Sequence, residues 1–453
     1  MTERSRTLLL DSDRPHLQQH MPMDSTINSP RAAMKVAIII FVLAIAVRIL
    51  LVFVTRVYTQ PARGELVMVA HSIAQNRGFA NPFATPTGPT AHVAPVYTYL
   101  LAFILKWIPW GPPFKLATIC LAILGSSLMW SLLPLAARLL EIDARAGLVG
   151  GLFGALNPLR HYVELDGCWE QTYAALALFG CVAFTFACRS RFKSDKTVFA
   201  LGCCWGLVLL LQPAFLVIFL TLLAVLCVRT HDGSRLSVLR PVAIAVGSMC
   251  LVITPWLIRN DIALGGPTFL RSNFGIELDT SNRDHATPDI VSNLYNDSAS
   301  DHPDVNPAEA RRMAAVGERA YYQFRQRRAL TWIRQHPSLF LSLSEARFVE
   351  FWIPFHRSLW LDLVEGLFTF ASFGGLIVLL WRRQAASWFL LSIWVSQPFV
   401  YYFLEADQRY RYPIEWTMAL CAGYFAVQVY DAFSSRRARV GYLQQEAALA
   451  ARP

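Results

Sequence analysis

The sequence predicts an all-α polytopic membrane protein. Of its 453 residues, 55% are hydrophobic and only 16% are charged, and the mean hydropathy is +0.38. This apolar share far exceeds that of soluble domains. Apolar runs of roughly 18 to 22 residues, enough for a helix to cross a bilayer core, recur along the chain. They lack the strict alternation of barrel strands, so the spans are predicted to be helices.

The N-terminal residues 1–34 are polar and rich in Arg, Ser and Pro. The apolar run that follows them is too long and too poorly flanked for a cleaved signal peptide. We therefore expect a disordered cytoplasmic tail over 1–34, followed by an uncleaved membrane anchor.

The apolar-run criterion predicts about ten transmembrane helices. They lie at 36–56, 116–137, 146–163, 169–188, 197–212, 214–228, 240–258, 360–381, 386–404 and 412–431. Basic clusters flank them at Arg31 with Lys35, Arg138 with Arg145, 189–196, 229–240, Arg382 with Arg383, and 436–439. The positive-inside rule puts all six clusters, and both termini, in the cytoplasm. The net charge of +10 is thus a topology signal and not the footprint of a nucleic-acid partner.

One further apolar stretch, residues 96–110 (VYTYLLAFILKWIPW), is predicted not to cross. Counting it as a span would place every later basic cluster outside. At roughly 15 residues, and rich in Tyr and Trp, it is typical of a juxtamembrane interfacial or re-entrant helix. An ordinary short span paired with another unrecognised one is the alternative.

This topology divides the chain into five parts. After the tail come a transmembrane core at 35–258, with an outer loop at 57–115, and an outer segment at 259–359. C-terminal transmembrane helices at 360–434 and a cytoplasmic tail at 435–453 complete the chain. Within the outer segment, Asn306 as cap and Pro307 at the first helical position predict a helix running to about His336. We expect this segment to form a small cap, with 346–356 lying along the membrane interface.

Glu65 is the only acidic residue between Arg63 and Glu141, just beyond the first predicted span. A carboxylate there can act as general base on an acceptor hydroxyl or amine, or can hold a divalent cation. A helix-start charge facing the helix dipole is the alternative. His92, in the Gly- and Pro-punctuated loop PTGPTAHVAPVY, can assist proton transfer, bind an acceptor or serve as a structural hydrogen bonder.

Two further groups lie on the predicted outer face. Glu164 and Asp166, with Glu170 nearby, can bind a metal or a substrate hydroxyl, although Arg160 and Glu164 also have the spacing of a solvated helix pair. The second group consists of arginines at predicted headgroup depth. A guanidinium group can bind two phosphate oxygens at once, so these residues can bind a substrate phosphate. The alternative is that they anchor the protein to the phosphates of ordinary lipids. The arginines concerned are Arg259, Arg271, Arg409 and Arg411.

An ordered set of segments resembles the polytopic C-type glycosyltransferases, specifically bacterial membrane proteins similar to dolichyl-phosphate-mannose protein mannosyltransferases. The segments are GELVMVAHSIAQNRGFANPF, PTGPTAHVAPVYTYLLAFILKW, NPLRHYVELDGCWEQTYAALAL, PWLIRNDIALGGPTFLRSNFGIEL and DQRYRYPIEWTMALCAGY. The resemblance implies a bundle of transmembrane helices, juxtamembrane helices in the first outer loop, and a location in a bacterial inner membrane. It also implies a polyprenyl-phosphate sugar donor and a catalytic acid at the position of Glu65.

The sequence departs from this family at two places. Many relatives have paired acids where this chain has Gly64-Glu65, and a further acid where it has AHVAPVY. A metal requirement and the second catalytic partner, either His92 or the pair Glu164 and Asp166, are therefore left open. The expected reaction is an inverting transfer to a lipid, glycan or protein acceptor, with arginines holding the donor phosphate. A transporter or flippase of a lipid-linked sugar and a non-catalytic scaffold are the competing hypotheses.

Overall fold

The computed structural model describes residues 30–450 except 193, 231–235, 297–300 and 355–357. Most of the predicted N-terminal tail, and part of the predicted interfacial stretch 346–356, lie outside the described residues. Over the described residues the regular structure is helical and contains no β-strand. The α-helices are α1 (Pro30–Thr55), α2 (Glu65–Ala74), α3 (Pro95–Trp107), α4 (Pro112–Ser131), α5 (Leu133–Leu139), α6 (Ala144–Leu156), α7 (His161–Asp166), α8 (Gln171–Ala187), α9 (Asp195–Leu209), α10 (Leu216–Thr230), α11 (Leu236–Leu264), α12 (Phe274–Ser281), α13 (Pro307–Val316), α14 (Glu318–Gln335), α15 (Pro337–Trp352), α16 (Leu359–Trp381), α17 (Ala385–Ser396) and α18 (Gln408–Ala450).

Five helices in the described part of the chain are long and apolar enough to cross a membrane. They cover Arg31–Thr55, Pro112–Ser131, Gln171–Ser190, Val238–Leu264 and Leu359–Trp381. The protein is therefore an all-helical chain with several membrane-spanning helices. The total of ten spans stays a prediction, because several of the predicted spans form shorter helices.

Ion pairs join the connections that the charge pattern places in the cytoplasm. Arg189 pairs with Glu141, which lies between α5 and α6, and Arg240 at the start of α11 pairs with Asp195 at the start of α9. On the opposite set of connections, the backbone N–H of Ala406 donates to the carbonyl of Pro288 at 2.9 Å. Each of these three contacts joins two connections that the predicted topology puts on the same side of the membrane, and the topology itself stays a prediction.

The stretch predicted to lie at the interface forms α3. At 13 residues and about 1.5 Å per residue, this helix is much shorter than a bilayer core. Tyr97 and Leu101 are buried, whereas Phe103 and Trp107 on the other side are 61% and 71% exposed. A short helix with one packed face and one exposed aromatic face suits a juxtamembrane position.

The outer segment departs from its predicted helix at one glycine. The side chain of Asn306 accepts hydrogen bonds from the N–H groups of Ala308 and Glu309, so the predicted cap and helix start at Pro307 are confirmed. The single helix to His336 is wrong, because Gly317 has a φ of +85° and separates α13 from α14. Only glycine adopts this conformation without strain, so the helix direction changes there.

The outer segment also packs into the first outer loop. Phe83 from that loop lies in a buried cluster with four residues of the outer segment, namely Ile276, Met313, Tyr321 and Tyr322. The segment 259–359 therefore shares a core with 57–115 and positions it.

Helix α18 contacts α6 and α16 closely through small residues. A Cβ atom on Gly150 of α6 would lie 2.5 Å from the carbonyl oxygen of Ala419, and one on Gly375 of α16 would overlap the carbonyl of Cys421. Small residues let membrane helices approach backbone to backbone, where van der Waals packing holds them together. These two glycines therefore set the position of α18.

We predict that Gly375→Ala separates α16 from α18 and lowers the free energy of unfolding by about 1–3 kcal/mol, the usual cost of overpacking. The thermal unfolding midpoint of the purified protein in detergent measures this effect. Gly366→Ala is the matched control on α16, because a Cβ there would have no atom within 4 Å. Equal midpoints for the two variants would contradict the assigned role of Gly375.

Candidate active site

Glu65 is the first residue of α2, and Gly64 before it has a φ of +119° that turns the chain into the helix. The Glu65 side chain is 21% exposed, so a small molecule can reach its carboxylate. Its neighbour across the chain is Trp169, whose ring lies 3.8 Å from the Cβ position of Gly64. A carboxylate at the start of a helix is favoured by the helix dipole, and this one also faces open space.

Two cavities meet at Glu65 and Trp169, which line both of them. The large cavity has a volume of about 910 Å³ and is also lined by the stretch 58–64 and by Lys115. The small cavity has a volume of about 420 Å³. Glu65 therefore stands in the wall between two separate binding spaces.

The small cavity combines apolar walls with two arginines. Its apolar lining comes from Leu66, Val93, Leu216, Val217, Val400 and Leu404. Arg271 lines it and donates from Nε to the carbonyl of His92 at 2.8 Å. This hydrogen bond does not use its two terminal nitrogens. Its Nη1 lies 3.9 Å from Oε1 of Glu170, a weak pair.

Arg409 is the second arginine of the small cavity. Its guanidinium lies 4.3 Å from the ring centroid of Trp169 and 4.9 Å from that of Tyr410, and Nη2 donates to the Tyr410 hydroxyl at 3.0 Å. Asp407 is 4.0 Å from its Nε, at the limit of an ion pair. Stacking fixes the plane of the guanidinium and leaves it able to bind an anion.

Three further carboxyl groups, those of Glu170, Glu277 and Glu405, line the small cavity. Burial raises the pKa of Glu277 against the opposing charge of Arg271. Burial and then the charge of Glu277 raise the pKa of Glu405 well above its ordinary value. The sequence indicated Glu170 as a neighbour of Glu164 and Asp166, and Glu277 as a sugar or ion ligand near Arg271. It missed Glu405, although this residue lies four positions before Arg409.

His92 lies beside Glu65, as the sequence allowed. Its Nε2 is 4.0 Å from Oε1 of Glu65, and its Nδ1 is 2.6 Å from the hydroxyl of Tyr322. Burial lowers the pKa of His92 well below its ordinary value, and the charges of Arg271 and His302 lower it further. The imidazole is therefore neutral at physiological pH.

Glu164 and Asp166 are not placed alike. Glu164 is buried, forms an ion pair with Arg48 at 2.7 Å, and accepts hydrogen bonds from Trp130 and Tyr412. It lines neither cavity. The alternative of a solvated pair between Arg160 and Glu164 is wrong, because Arg160 is buried and pairs elsewhere. Asp166 pairs with Lys115, a residue of the large cavity, and so lies near that space.

The other two predicted arginines are committed to structural contacts. Arg259 donates to the carbonyls of Thr90 and Phe79, at 2.5 and 2.7 Å, and ties the first outer loop to α11. Arg411 is fully buried and pairs with Glu365 at 2.6 Å and Glu415 at 2.8 Å. Of the four arginines, the structure brings Arg271 and Arg409 together in one cavity and places the other two outside both.

A three-ligand cation site does not fit the residues around Glu65. In the described ranges, no group of three His, Cys, Asp or Glu side chains is arranged to hold a metal ion. The ionisable side chain beside Glu65 is the neutral imidazole of His92.

Comparison with known proteins identifies the fold. No family model and no curated protein sequence matches the chain. Among solved structures, the apo oligosaccharyltransferase of Archaeoglobus fulgidus is similar with a TM-score of 0.55 at 14% identity, over 92% of this chain and 52% of that one. The same enzyme in complex with an inhibitory peptide and a dolichol-phosphate gives 0.51 at 14% identity, over 93% and 52%. Its form tethered to an acceptor peptide gives 0.53 at 14% identity, over 90% and 51%.

This chain spans about half the length of the archaeal enzyme that it matches. The likeness shows that the two proteins share a fold over that part of the archaeal enzyme. Membership of the C-type glycosyltransferases and the closer resemblance to protein mannosyltransferases both stay predictions.

We predict that Arg411→Gln destabilises the protein by about 3–5 kcal/mol, because the buried carboxylates of Glu365 and Glu415 would then share the single positive charge of Arg160. A lower yield of monodisperse protein and a lower thermal unfolding midpoint measure the loss. Arg437→Gln, an exposed change on the same helix, is the control. Wild-type stability of Arg411→Gln would show that this network does not hold the fold.

Proposed function

We propose that this protein is a membrane glycosyltransferase that moves a sugar from a polyprenyl-phosphate donor to a lipid, glycan or protein acceptor. The observation that carries the proposal is the position of Glu65 in the wall between two cavities, one of which contains two arginines within apolar walls. The fold supports it, since the similar archaeal enzyme is an oligosaccharyltransferase recorded with dolichol-phosphate. The bacterial inner membrane, the ten spans, the five-part division and the cytoplasmic termini belong to the same proposal.

The small cavity suits the donor. Its apolar residues can contact the first isoprene units, while Arg271 and Arg409 bind the phosphate. As the glycosidic bond breaks, negative charge grows on the leaving phosphate, and fixed guanidinium groups stabilise that charge more than the ground state. The raised pKa values of Glu277 and Glu405 favour their neutral forms, which reduces their repulsion of the phosphate.

The large cavity suits the acceptor. An acceptor hydroxyl or amine that enters from this side meets Glu65 at the shared wall. Glu65 takes the proton of the acceptor, and the freed electron pair forms a bond to the anomeric carbon. The bond from that carbon to the phosphate oxygen breaks on the opposite face, so the configuration inverts and polyprenyl phosphate leaves with the electron pair. A general base contributes typically 10²–10⁴-fold to such a step.

We predict that Glu65→Gln lowers transfer by about 10²–10⁴-fold, because the amide cannot accept the proton. Purified protein incubated with a radiolabelled polyprenyl-phosphate sugar and cell-envelope acceptors measures transfer of label. Glu345→Gln, an exposed carboxylate change on α15, is the control. Full transfer by Glu65→Gln removes this residue from the mechanism, and an absence of transfer by the wild type under all acceptors favours a transporter or a scaffold.

We predict that Arg409→Gln weakens the inhibition of transfer by polyprenyl phosphate about 10- to 100-fold, since hydrogen bonds to charged groups are worth about 1.5–3 kcal/mol. The inhibition constant is measured beside the unfolding midpoint, so that a folding defect is recognised. Arg327→Gln, at an exposed position of α14, is the matched control. Unchanged inhibition of folded Arg409→Gln would place the phosphate elsewhere.

A further inference from the structure

A buried tyrosine from the outer segment contacts His92. Tyr322 lies on α14 and is 3% exposed, packed with Phe83, Ile276 and Met313. Its hydroxyl lies 2.6 Å from Nδ1 of His92. Within the described residues this is the one hydrogen bond of that hydroxyl.

The two neighbours of the imidazole determine where its proton lies. A neutral imidazole has one N–H donor and one acceptor nitrogen. Burial raises the pKa of Tyr322 well above its ordinary value, so this group is a phenol that has a proton to donate. On the other side, Nε2 faces the carboxylate of Glu65, which when ionised only accepts. Both neighbours favour the form with the proton on Nε2 and a bare Nδ1.

The backbone of His92 is held by the outer segment as well. Arg271 donates to its carbonyl, and the N–H of His92 donates to Oγ1 of Thr90 at 2.9 Å. Glu318, at the first position of α14, accepts from the N–H of Ala91 at 2.8 Å and from the hydroxyl of Thr90. The ring position of His92 therefore depends on the same helix that provides Tyr322.

We propose that Tyr322 is a positioning residue that fixes His92 in the Nε2–H tautomer, so that His92 orients the Glu65 carboxylate toward the acceptor. This inference rests on the proposed function of Glu65. The 4.0 Å separation of Nε2 and Oε1 is longer than a direct hydrogen bond. Hydrogen bonds of catalytic groups are often long without substrate and shorten when it binds.

This arrangement adds no net charge beside the Glu65 carboxylate. A protonated imidazole would place a positive charge next to the carboxylate and weaken it as a base. Burial and the adjacent Arg271 keep His92 neutral, so it contributes an oriented N–H dipole without a net charge. Preorganised dipoles hold a reacting group in place and need no reorganisation at the moment of reaction.

The test compares Tyr322→Phe with Tyr321→Phe. Both remove one buried hydroxyl from α14, but the Tyr321 hydroxyl contacts Glu309 and Arg325 and not His92. We expect Tyr322→Phe to lower kcat about tenfold, the effect of one hydrogen bond, with an unchanged KM for the donor. Equal losses of kcat in the two variants would indicate a merely structural role and would overturn the proposal.

Nitrogen NMR of histidine-labelled protein in lipid nanodiscs observes the tautomer directly. The His92 signals are identified by their loss in His92→Gln. We expect a protonated Nε2 and a bare Nδ1 in the wild type and in Tyr321→Phe, and a mixture of tautomers in Tyr322→Phe. A protonated Nδ1 in the wild type, or an unchanged tautomer in folded Tyr322→Phe, would refute the inference.

The NMR measurement needs no substrate. It therefore tests the role of Tyr322 independently of the proposed function of Glu65. If the wild type shows the expected tautomer but Glu65→Gln still transfers sugar, the proposed function is wrong and the Tyr322 contact orients a residue without a catalytic role. If Glu65→Gln abolishes transfer but the proton lies on Nδ1, the proposed function stands and this inference falls. Should Tyr322→Phe not fold, the wild-type tautomer alone decides.

Discussion

Charges buried in a helical bundle must be neutralised by partners, and this requirement determines how the helices of this protein are joined. Arg160 and Arg411 share the carboxylates of Glu365 and Glu415, and all four side chains are at most 2% exposed. An unpaired charge in such surroundings would cost several kcal/mol. The four residues come from the turn before α7 and from α16 and α18, so these elements are fixed relative to one another.

The position of the site follows from that network. Arg411 lies two residues after Arg409 in the first turn of α18, so the ion pairs that hold Arg411 also fix where the Arg409 guanidinium can reach. On α7, Glu164 pairs with Arg48 of α1. After α7 the chain reaches Trp169, whose ring stacks with Arg409 and which lines both cavities together with Glu65. The buried arginines line neither cavity. Their ion pairs hold in place the helices and turns that position Arg409 and Trp169.

The sequence was sufficient for the membrane class, the helical fold and the isolation of Glu65, because apolar runs and a lone acid are visible without contacts. It was not sufficient to separate the four arginines, since all of them follow or precede apolar runs at similar predicted depth. The difference lies in partners far away in the chain: Arg259 donates to the carbonyl of Phe79, 180 positions away, and Arg411 donates to Glu365, 46 positions away. Glu405 and Tyr322 were missed for the same reason. Their positions at the small cavity and at His92 depend on contacts between segments that are distant in the sequence. The error at Gly317 has a local cause and not a distant one. The positive φ of this one residue ends the helix that the sequence pattern extended to His336.

The outer segment is better understood as part of the site than as a cap over it. Glu318 binds the loop at Thr90 and Ala91, and the N–H of Ser272 donates to the carbonyl of Ala91 at 2.9 Å. Burial raises the pKa of Glu318, so its ionised form depends on these donors and is not stable without them. The Glu318 carboxylate and the loop at Thr90 and Ala91 therefore stabilise each other. The geometry beside Glu65 is thus set by residues more than 200 positions away, and the segment 259–359 and the loop 57–115 must fold together before the site exists.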